Sequence, residues 1–241
     1  MSSTSSLRGA HAPSTASDED ESTYIRRTRI LQWVRMGLCA AMVVLAVAAV
    51  GAEGHPLRYY NKTVQYEKMY LSLWPENIEM RPTIALIACG SIIALQSLVY
   101  LIVALLPSPR SRIFILNSLV TATAIGGFIA ALIAVIFTLV YTNPRTVNGT
   151  YRGETIHSWT CTWGFANGKD VNGDKIDGVV NFAQLCRETR ASFTLMCILL
   201  LLQFMLCVSA GAGWFLEIEV KKKRDEGAAA AGGFQSEKGS V

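Results

Sequence analysis

Four long blocks of apolar residues, separated by polar segments, dominate the pattern along this chain. They cover Ile30–Val50, Thr83–Leu106, Ile113–Tyr141 and Ala191–Leu216, and the last three contain no charged residue. Because a helix needs roughly 20 predominantly apolar residues to cross a bilayer core, the pattern predicts four transmembrane helices. Buried helices of a soluble protein are a disfavoured alternative, since such helices carry a polar stripe at 3.6-residue spacing and these blocks do not. A cleaved signal peptide in the first block is also disfavoured, because about thirty mostly polar residues precede it.

The composition agrees with this interpretation and defines the domain organisation. Of 241 residues, 51% are apolar and only 17% are charged. We predict a disordered N-terminal tail over residues 1–29, a transmembrane domain over residues 30–216, and a C-terminal tail over residues 217–241 that is first basic and then disordered. Two longer polar segments, residues 53–82 and 142–190, become the loops between the spans.

The distribution of basic residues predicts which side of the membrane each segment occupies. Lys and Arg collect at the cytosolic ends of membrane spans. Both tails and the short link before the third span carry basic residues near the membrane, whereas acidic and basic residues are nearly balanced in the two long loops. Both termini are therefore predicted to be cytosolic and both long loops extracellular or lumenal. The predicted membrane-surface basic residues are Arg26, Arg27, Arg29, Arg110, Arg112, Lys221, Lys222, Lys223 and Arg224. Arg35, about one turn into the first span, is expected to snorkel to the cytosolic surface.

The cysteines predict one disulfide bond. Four of the six cysteines lie within the spans, and only Cys161 and Cys186 lie outside them, both in the second long loop. A lone pair of cysteines in an oxidising compartment is typical of a disulfide. Sequons at Asn61 and Asn148 fall in the predicted outer loops and predict glycosylation there. The predicted fold class is an all-α membrane protein, a four-helix bundle with two outer loops, the second held by this disulfide.

The stretch "GKDVNGDKIDGVV" inside the second loop resembles part of a calcium-binding loop. Asp170, Asn172 and Asp174 occupy the first, third and fifth positions, but Lys175 replaces the glycine and Asn181 the bidentate carboxylate that such loops require. A polar turn is the preferred interpretation, because Asn and Gly favour turns. Calcium binding is not expected, and no other metal or cofactor site is predicted.

Neutral polar and small residues within the spans predict contacts between helices. Gln96, Asn117, Thr121, Thr123 and Gln203 are suited to hydrogen bonds between helices. Small residues recur every fourth position in the third span, where they allow close approach of another helix. The predicted helix-packing residues are Ala122, Gly126, Gly127, Ala130, Ala134 and, in the fourth span, Gly211. Packing within one bundle is preferred, and a face for a second protein molecule remains open.

Tyr66, Tyr70 and Trp74 form a further pattern in the first outer loop. Their spacing of four places them on one face of a short amphipathic helix. This face is predicted to lie at the membrane interface, with packing against the second loop as the alternative.

The layout as a whole resembles the MARVEL-type tetraspan proteins, the occludin- and synaptophysin-like group, including four-span proteins of fungi. The features that carry the resemblance are four spans, a short inner link and a cysteine pair confined to the second outer loop. The claudin-like SUR7/PalI group is similar in topology, but the claudin signature places Trp and two Cys in the first outer loop. Here that loop contains Trp74 and no cysteine. Tetraspanins differ by a Cys-Cys-Gly motif, which "SWTCTWGF" lacks. The resemblance implies a role in membrane apposition, vesicle traffic or lateral organisation.

No pattern of catalytic residues is recognisable, so the chain is predicted not to be an enzyme. The preferred function is a membrane organiser or adaptor, at the plasma membrane or in the secretory pathway. Its expected partners are the lipid bilayer and other membrane proteins or a second copy, and not nucleic acid. The alternative is a small channel, transporter or accessory subunit, with a pore lined by Gln96, Asn117, Thr121 and Gln203. Convergence of these residues on a cavity at the bundle centre favours the alternative, and a dry interior favours the organiser.

Overall fold

The four apolar blocks all lie within long α-helices, as their pattern predicts. A computed structural model describes residues 15–64, 74–75, 77–106, 113–142, 154–164 and 181–237, with side chains described over 26–64, 74–75, 77–106, 115–141, 154–164, 181–219 and 221–222. The helices are α1 (Thr15–Thr63), α2 (Arg81–Leu105), α3 (Ile113–Thr142), the short α4 (Ile156–Thr162) and α5 (Phe182–Glu237).

The four long helices form an up-and-down bundle. α1 packs against α2 and α5, and α3 packs against the same two helices, so α1 and α3 face each other across a diagonal. Neighbouring helices are antiparallel, which is the arrangement expected when successive spans reverse direction. We call the end with the Cys161–Cys186 disulfide the loop end, and the end where α1 begins and α5 finishes the tail end. The predicted all-α bundle with a disulfide-held loop is confirmed.

Apolar side chains lie both inside the bundle and on its outer surface. Met42, Ile93, Val120, Met196 and Leu199 are fully buried in the core. Exposed apolar side chains include Val44, Leu95, Ile129, Leu201 and Phe215. A soluble protein rarely exposes so much contiguous apolar surface, whereas lipid covers it at no penalty. With four helices long and apolar enough to cross a bilayer, the chain is an integral, multi-pass membrane protein.

The helices extend beyond the predicted spans. α1 begins at Thr15 and α5 ends at Glu237, so both tails contain helix where disorder was predicted. At the loop end, α1 continues to Thr63 and α5 already begins at Phe182, within segments predicted as loops. The physical reason is that each span supplies a helix nucleus, and propagation from a nucleus is far easier than nucleation. Good helix formers such as the Ala, Lys and Glu residues after Leu216 then extend it.

The short helix α4 has its own start signal. The Thr155 side chain accepts a hydrogen bond from the backbone N–H of Ser158, and the Ser158 side chain accepts one from the backbone N–H of Thr155. This reciprocal capping box satisfies two donors that would otherwise lack partners. The backbone N–H of Glu79 donates to the carbonyl of Glu154 at 2.9 Å, which ties the segment before α2 to the segment before α4.

Several predicted features lie outside the described side chains. They are the turn at Gly168–Val180 with its calcium-loop residues Asp170, Asn172, Asp174 and Lys175, the sequon at Asn148, the aromatic residues Tyr66 and Tyr70, and the basic residues Arg110, Arg112, Lys223 and Arg224.

Candidate functional site

The predicted disulfide is present and joins α4 to the first turns of α5. Cys161 and Cys186 are bonded, with their Cα atoms 4.8 Å apart and a sequence separation of 25. The bond therefore fixes α4 against the helix that enters the membrane. Cys39, Cys89, Cys197 and Cys207 are free thiols within the spans, as predicted.

A second, smaller core lies next to the disulfide. Trp74 and Phe182 pack edge to face with ring centroids 5.7 Å apart, and Tyr60 packs on the other side of Trp74 at 5.2 Å. The Trp74 indole N–H donates to the Thr63 hydroxyl at 2.7 Å. For Trp74, the alternative of packing against the second loop is therefore correct. We call this assembly the cap; its side chains are Tyr59, Tyr60, Trp74, Ile78, Trp159, Phe182 and Leu185.

A cavity of about 290 Å³ lies at the loop end, where α4 meets the long helices. Its lining combines hydroxyl groups, one carboxyl group, one imidazole and apolar walls. The lining residues come from α1, α2, α3, α5 and the start of α4: Glu53, Pro82, Thr83, Leu86, Thr138, Leu139, Thr155, His157, Thr189 and Phe193.

Glu53 is the acidic residue of this cavity. Its side chain is only 2% exposed. Oε1 accepts a 2.9 Å hydrogen bond from the Thr83 hydroxyl of α2, whereas Oε2 is buried and has no hydrogen-bond partner in the described part of the chain. In the sequence, Glu53 is one of the balanced charges of the first outer loop. A signal was available, because Glu53 continues the buried stripe of α1 that contains Met42, Ala46 and Ala49 at helical spacing.

His157 of α4 lies beside Glu53 in the cavity lining. The Thr189 hydroxyl donates to the Cys186 carbonyl at 3.1 Å, so it accepts the 2.7 Å hydrogen bond that it shares with His157 Nδ1. We assign the proton to Nδ1, because only this tautomer allows both hydrogen bonds to form. Burial, and secondarily the positive charge of Arg190, lowers the pKa of His157 below its ordinary value of 6.5. The imidazole is thus neutral at pH 7, with Nε2 as an acceptor.

A second polar cluster occupies the tail end. Arg35 is 5% exposed. Nη1 donates to Asn117 Oδ1 at 2.8 Å and Nη2 to the Ser209 carbonyl at 2.7 Å. Asn117 Nδ2 in turn donates to Glu217 Oε2 at 3.0 Å. The expectation that Arg35 snorkels to the membrane surface is wrong, because the guanidinium finds its partners inside the bundle. The Arg35 guanidinium packs closely against Gly213, where an added Cβ would collide with Arg35 Nη2.

An apolar layer separates the two polar ends. Met42, Ala46, Ile93, Met196 and Leu199 are fully buried between them. Gln203 is also fully buried, with neither side-chain amide atom hydrogen-bonded, and it lies against Gly127. The proposed pore-lining residues do not converge on the loop-end cavity: Gln96, Asn117, Thr121 and Gln203 are absent from its lining. Thr121 instead accepts a 3.0 Å hydrogen bond from the Trp214 indole of α5.

The predicted packing residues divide between the inside and the outside of the bundle. Gly127, Ala130 and Ala134 are buried. Ala122 and Gly126 are exposed, although a Cβ on Gly126 would lie 3.2 Å from Gln96 Oε1. Thr123 and Ala131, each one position after a predicted or neighbouring small residue, are also buried. At the tail end of α3, the residues that face the bundle are therefore Thr123 and Gly127 and not Ala122 and Gly126. Gly211 makes no close approach, since an added Cβ would meet nothing within 4 Å.

The surface residues that were predicted from sequence lie at the two ends. Arg26, Arg27 and Arg29 of α1 and Lys221 and Lys222 of α5 are exposed at the tail end. Asn61 is exposed in the last turn of α1, and its glycosylation remains a prediction. Comparisons of this chain with protein-family models, with curated proteins and with solved structures found no match to any of them.

Proposed function

We propose that this protein organises membranes without catalysing a reaction, by presenting its cap to another membrane protein or to a second copy of itself. The observation that carries the proposal is the cap, which has its own aromatic core and a covalent link to α5. α1 continues from Gly51 to Thr63 beyond its apolar block, an extension of ~20 Å at 1.5 Å per residue. The cap is therefore a folded, disulfide-linked surface that lies outside the lipid.

The interior of the bundle supports this function over a pore. Of the residues proposed to line a pore, Asn117 and Thr121 form hydrogen bonds between helices and Gln203 lies in the buried core. A fully buried apolar layer also separates the two polar ends. A continuous polar path is the minimum requirement for ion conduction through one bundle. The organiser and adaptor role therefore fits the geometry better.

The chemistry at the two ends supports a proposed orientation. A disulfide forms in oxidising compartments, which supports placing the loop end outside the cell or in the lumen of the secretory pathway. The exposed basic residues of α1 and α5 lie at the tail end, as expected for the cytosolic side. On this basis we propose cytosolic termini, a plasma or secretory-pathway membrane, and a MARVEL-type layout.

Affinity purification in mild detergent with a disulfide-free variant tests the proposal. The double substitution Cys161→Ser with Cys186→Ser releases α4 from α5, and Cys197→Ser, a free half-buried thiol, is the matched control. We expect the wild type and the control to retain the same copurifying membrane protein, or a second tagged copy, and the double variant to lose it. Equal recovery from all three proteins contradicts a role of the cap.

A transport or receptor function is the second candidate, and the loop-end cavity is the observation that favours it. A buried carboxyl group within a membrane protein is typically functional. Reconstitution into liposomes distinguishes the candidates: selective flux of a cation that falls in Glu53→Gln supports transport and contradicts the organiser.

A further inference from the structure

We propose that the loop-end cavity binds a small organic cation of the ammonium type, with the Glu53 carboxylate as its counter-charge. This proposal goes beyond the organising role and does not depend on it. The occupant has one protonated amine and a short hydrocarbon body.

The charge of the cavity is the first argument. An ionised carboxylate removed from water requires a cationic partner or several hydrogen bonds. Glu53 accepts a hydrogen bond from Thr83, and its buried Oε2 has no hydrogen-bond partner among the described residues. Burial raises the pKa of Glu53 to about 7, and a cationic partner lowers this pKa and keeps the carboxylate ionised. Among the residues that the structure describes, the lining contains no Lys or Arg, and His157 is a neutral imidazole. A bound ammonium group supplies both the missing positive charge and an N–H donor for Oε2.

The hydrogen-bond polarity of the lining is the second argument. Each threonine hydroxyl of the cavity already uses its hydrogen within the protein, so each offers only lone pairs to a ligand. The acceptors are Glu53 Oε1 for Thr83, the Ala134 carbonyl for Thr138, Ser158 Oγ for Thr155 and the Cys186 carbonyl for Thr189. His157 also offers only an acceptor, since its Nδ1 proton is engaged with Thr189. With Glu53 ionised, the lining consists of acceptors, so it selects a ligand that donates and repels anions.

The size and the apolar walls are the third argument. A volume of about 290 Å³ lies near the lower end of the range for small-molecule sites, roughly 300–1,000 Å³, and far exceeds the space of a single ion. Pro82, Leu86, Leu139 and Phe193 provide apolar walls that suit a hydrocarbon body. In the part of the chain that the structure describes, no three His, Cys, Asp or Glu side chains come together as a metal site. An organic cation therefore fits the cavity better than a metal ion.

Thermal unfolding of the full-length protein in detergent tests the proposal, with propylammonium chloride as the probe. Sodium chloride and 1-propanol at equal concentrations control for ionic strength and for the hydrocarbon. Glu53→Gln removes the charge with little change of shape, and Glu79→Gln, a partly exposed carboxyl at the same end, is the matched control. We expect propylammonium to raise Tm of the wild type and of Glu79→Gln with increasing concentration. Glu53→Gln should lose this shift.

An unchanged Tm of the wild type overturns the proposal, and so does an equal shift in Glu53→Gln. A shift caused equally by sodium chloride and lost in Glu53→Gln also overturns it, in favour of an inorganic cation. A second readout uses the wild type alone and so does not require Glu53→Gln to fold. Dicyclohexylcarbodiimide, an apolar reagent for buried carboxyl groups, should label Glu53, as located by peptide mass spectrometry. Propylammonium should slow this labelling at least several-fold, whereas an unchanged rate of labelling contradicts binding.

Discussion

Arg35 of α1 donates a 2.8 Å hydrogen bond to Asn117 of α3, and this bond joins the two helices that face each other across the diagonal of the bundle. Asn117 then donates to Glu217 of α5, so one amide side chain lies between a buried cation and a carboxylate. Burial of an arginine in a membrane protein is tolerated when it finds internal partners, and Arg35 finds them through Nη1 and Nη2 but not through its buried Nε in the described part of the chain. The cluster therefore holds three helices in register at the tail end.

Asn117→Ala removes the centre of this cluster. We expect it to lower the free energy of unfolding by about 1.5–3 kcal/mol, the usual range for hydrogen bonds to charged groups. The reason is that Arg35 keeps only the Ser209 carbonyl as a partner. Titration with dodecyl sulfate in mixed micelles measures the change, and Asn61→Ala, an exposed asparagine on α1, is the control. A loss no larger than that of the control contradicts the role of Asn117.

Gly213→Ala should destabilise the bundle, whereas Gly211→Ala should not. A Cβ at position 213 collides with Arg35 Nη2 and lies 3.4 Å from Asn117 Oδ1, so the guanidinium must leave its partners. We expect a loss of about 1–3 kcal/mol, as for other overpacked sites. At position 211 a Cβ meets nothing within 4 Å. There the better helix propensity of alanine predicts a gain of up to about 1 kcal/mol. The same detergent titration measures both variants, and equal changes would refute the close packing at Gly213.

Loss of the disulfide should loosen the cap more than the bundle. In the chain-entropy model, a crosslink that closes a loop of this length contributes about 3–4 kcal/mol. We expect the double Cys161→Ser, Cys186→Ser variant to show faster hydrogen exchange in α4 and at Trp74, and nearly unchanged exchange in the buried middle of α3. Hydrogen exchange with mass spectrometry measures both regions, with Cys197→Ser as the control. Uniform acceleration along the chain would show that the cap and the bundle unfold together.

Acidification should stabilise the loop end through Glu53, whose pKa is raised by burial to about 7, and destabilise it through His157. The pKa of His157 in the folded protein lies below 6.5, so the unfolded chain binds the proton more readily and folding is favoured most when the imidazole is neutral. This contribution is complete above pH 6.5 and is lost as the pH falls through the lower folded pKa. His157→Asn, which keeps a donor near the Nδ1 position, should remove the loss due to His157, so its Tm at about pH 5 relative to about pH 7 should be higher than that of the wild type, while the opposite contribution of Glu53 stays in both proteins. His55→Gln, at a partly exposed histidine on α1, is the control. An identical pH dependence in wild type and His157→Asn would contradict this assignment.

The sequence alone determined the four membrane-length helices and the disulfide, because both depend on linear properties. Apolar length is counted along the chain, and only Cys161 and Cys186 lie outside the apolar blocks. Only the tertiary structure decided the position of the buried charges. The sequence shows that Arg35 and Glu53 are charged. It does not show that Asn117 and Thr83 face them from other helices.

The small residues of α3 show the same limit. Their spacing predicts a ridge of small residues, but two adjacent ridges share that spacing. The rotation of α3 about its own axis, relative to α2 and α5, places Thr123 and Gly127 inside the bundle and Ala122 and Gly126 outside it. The loop-end cavity is likewise a property of the assembly, since four long helices and the start of α4 each contribute part of its lining. A sequence specifies which helices form, whereas the choice of facing side chains depends on the packing of all of them together.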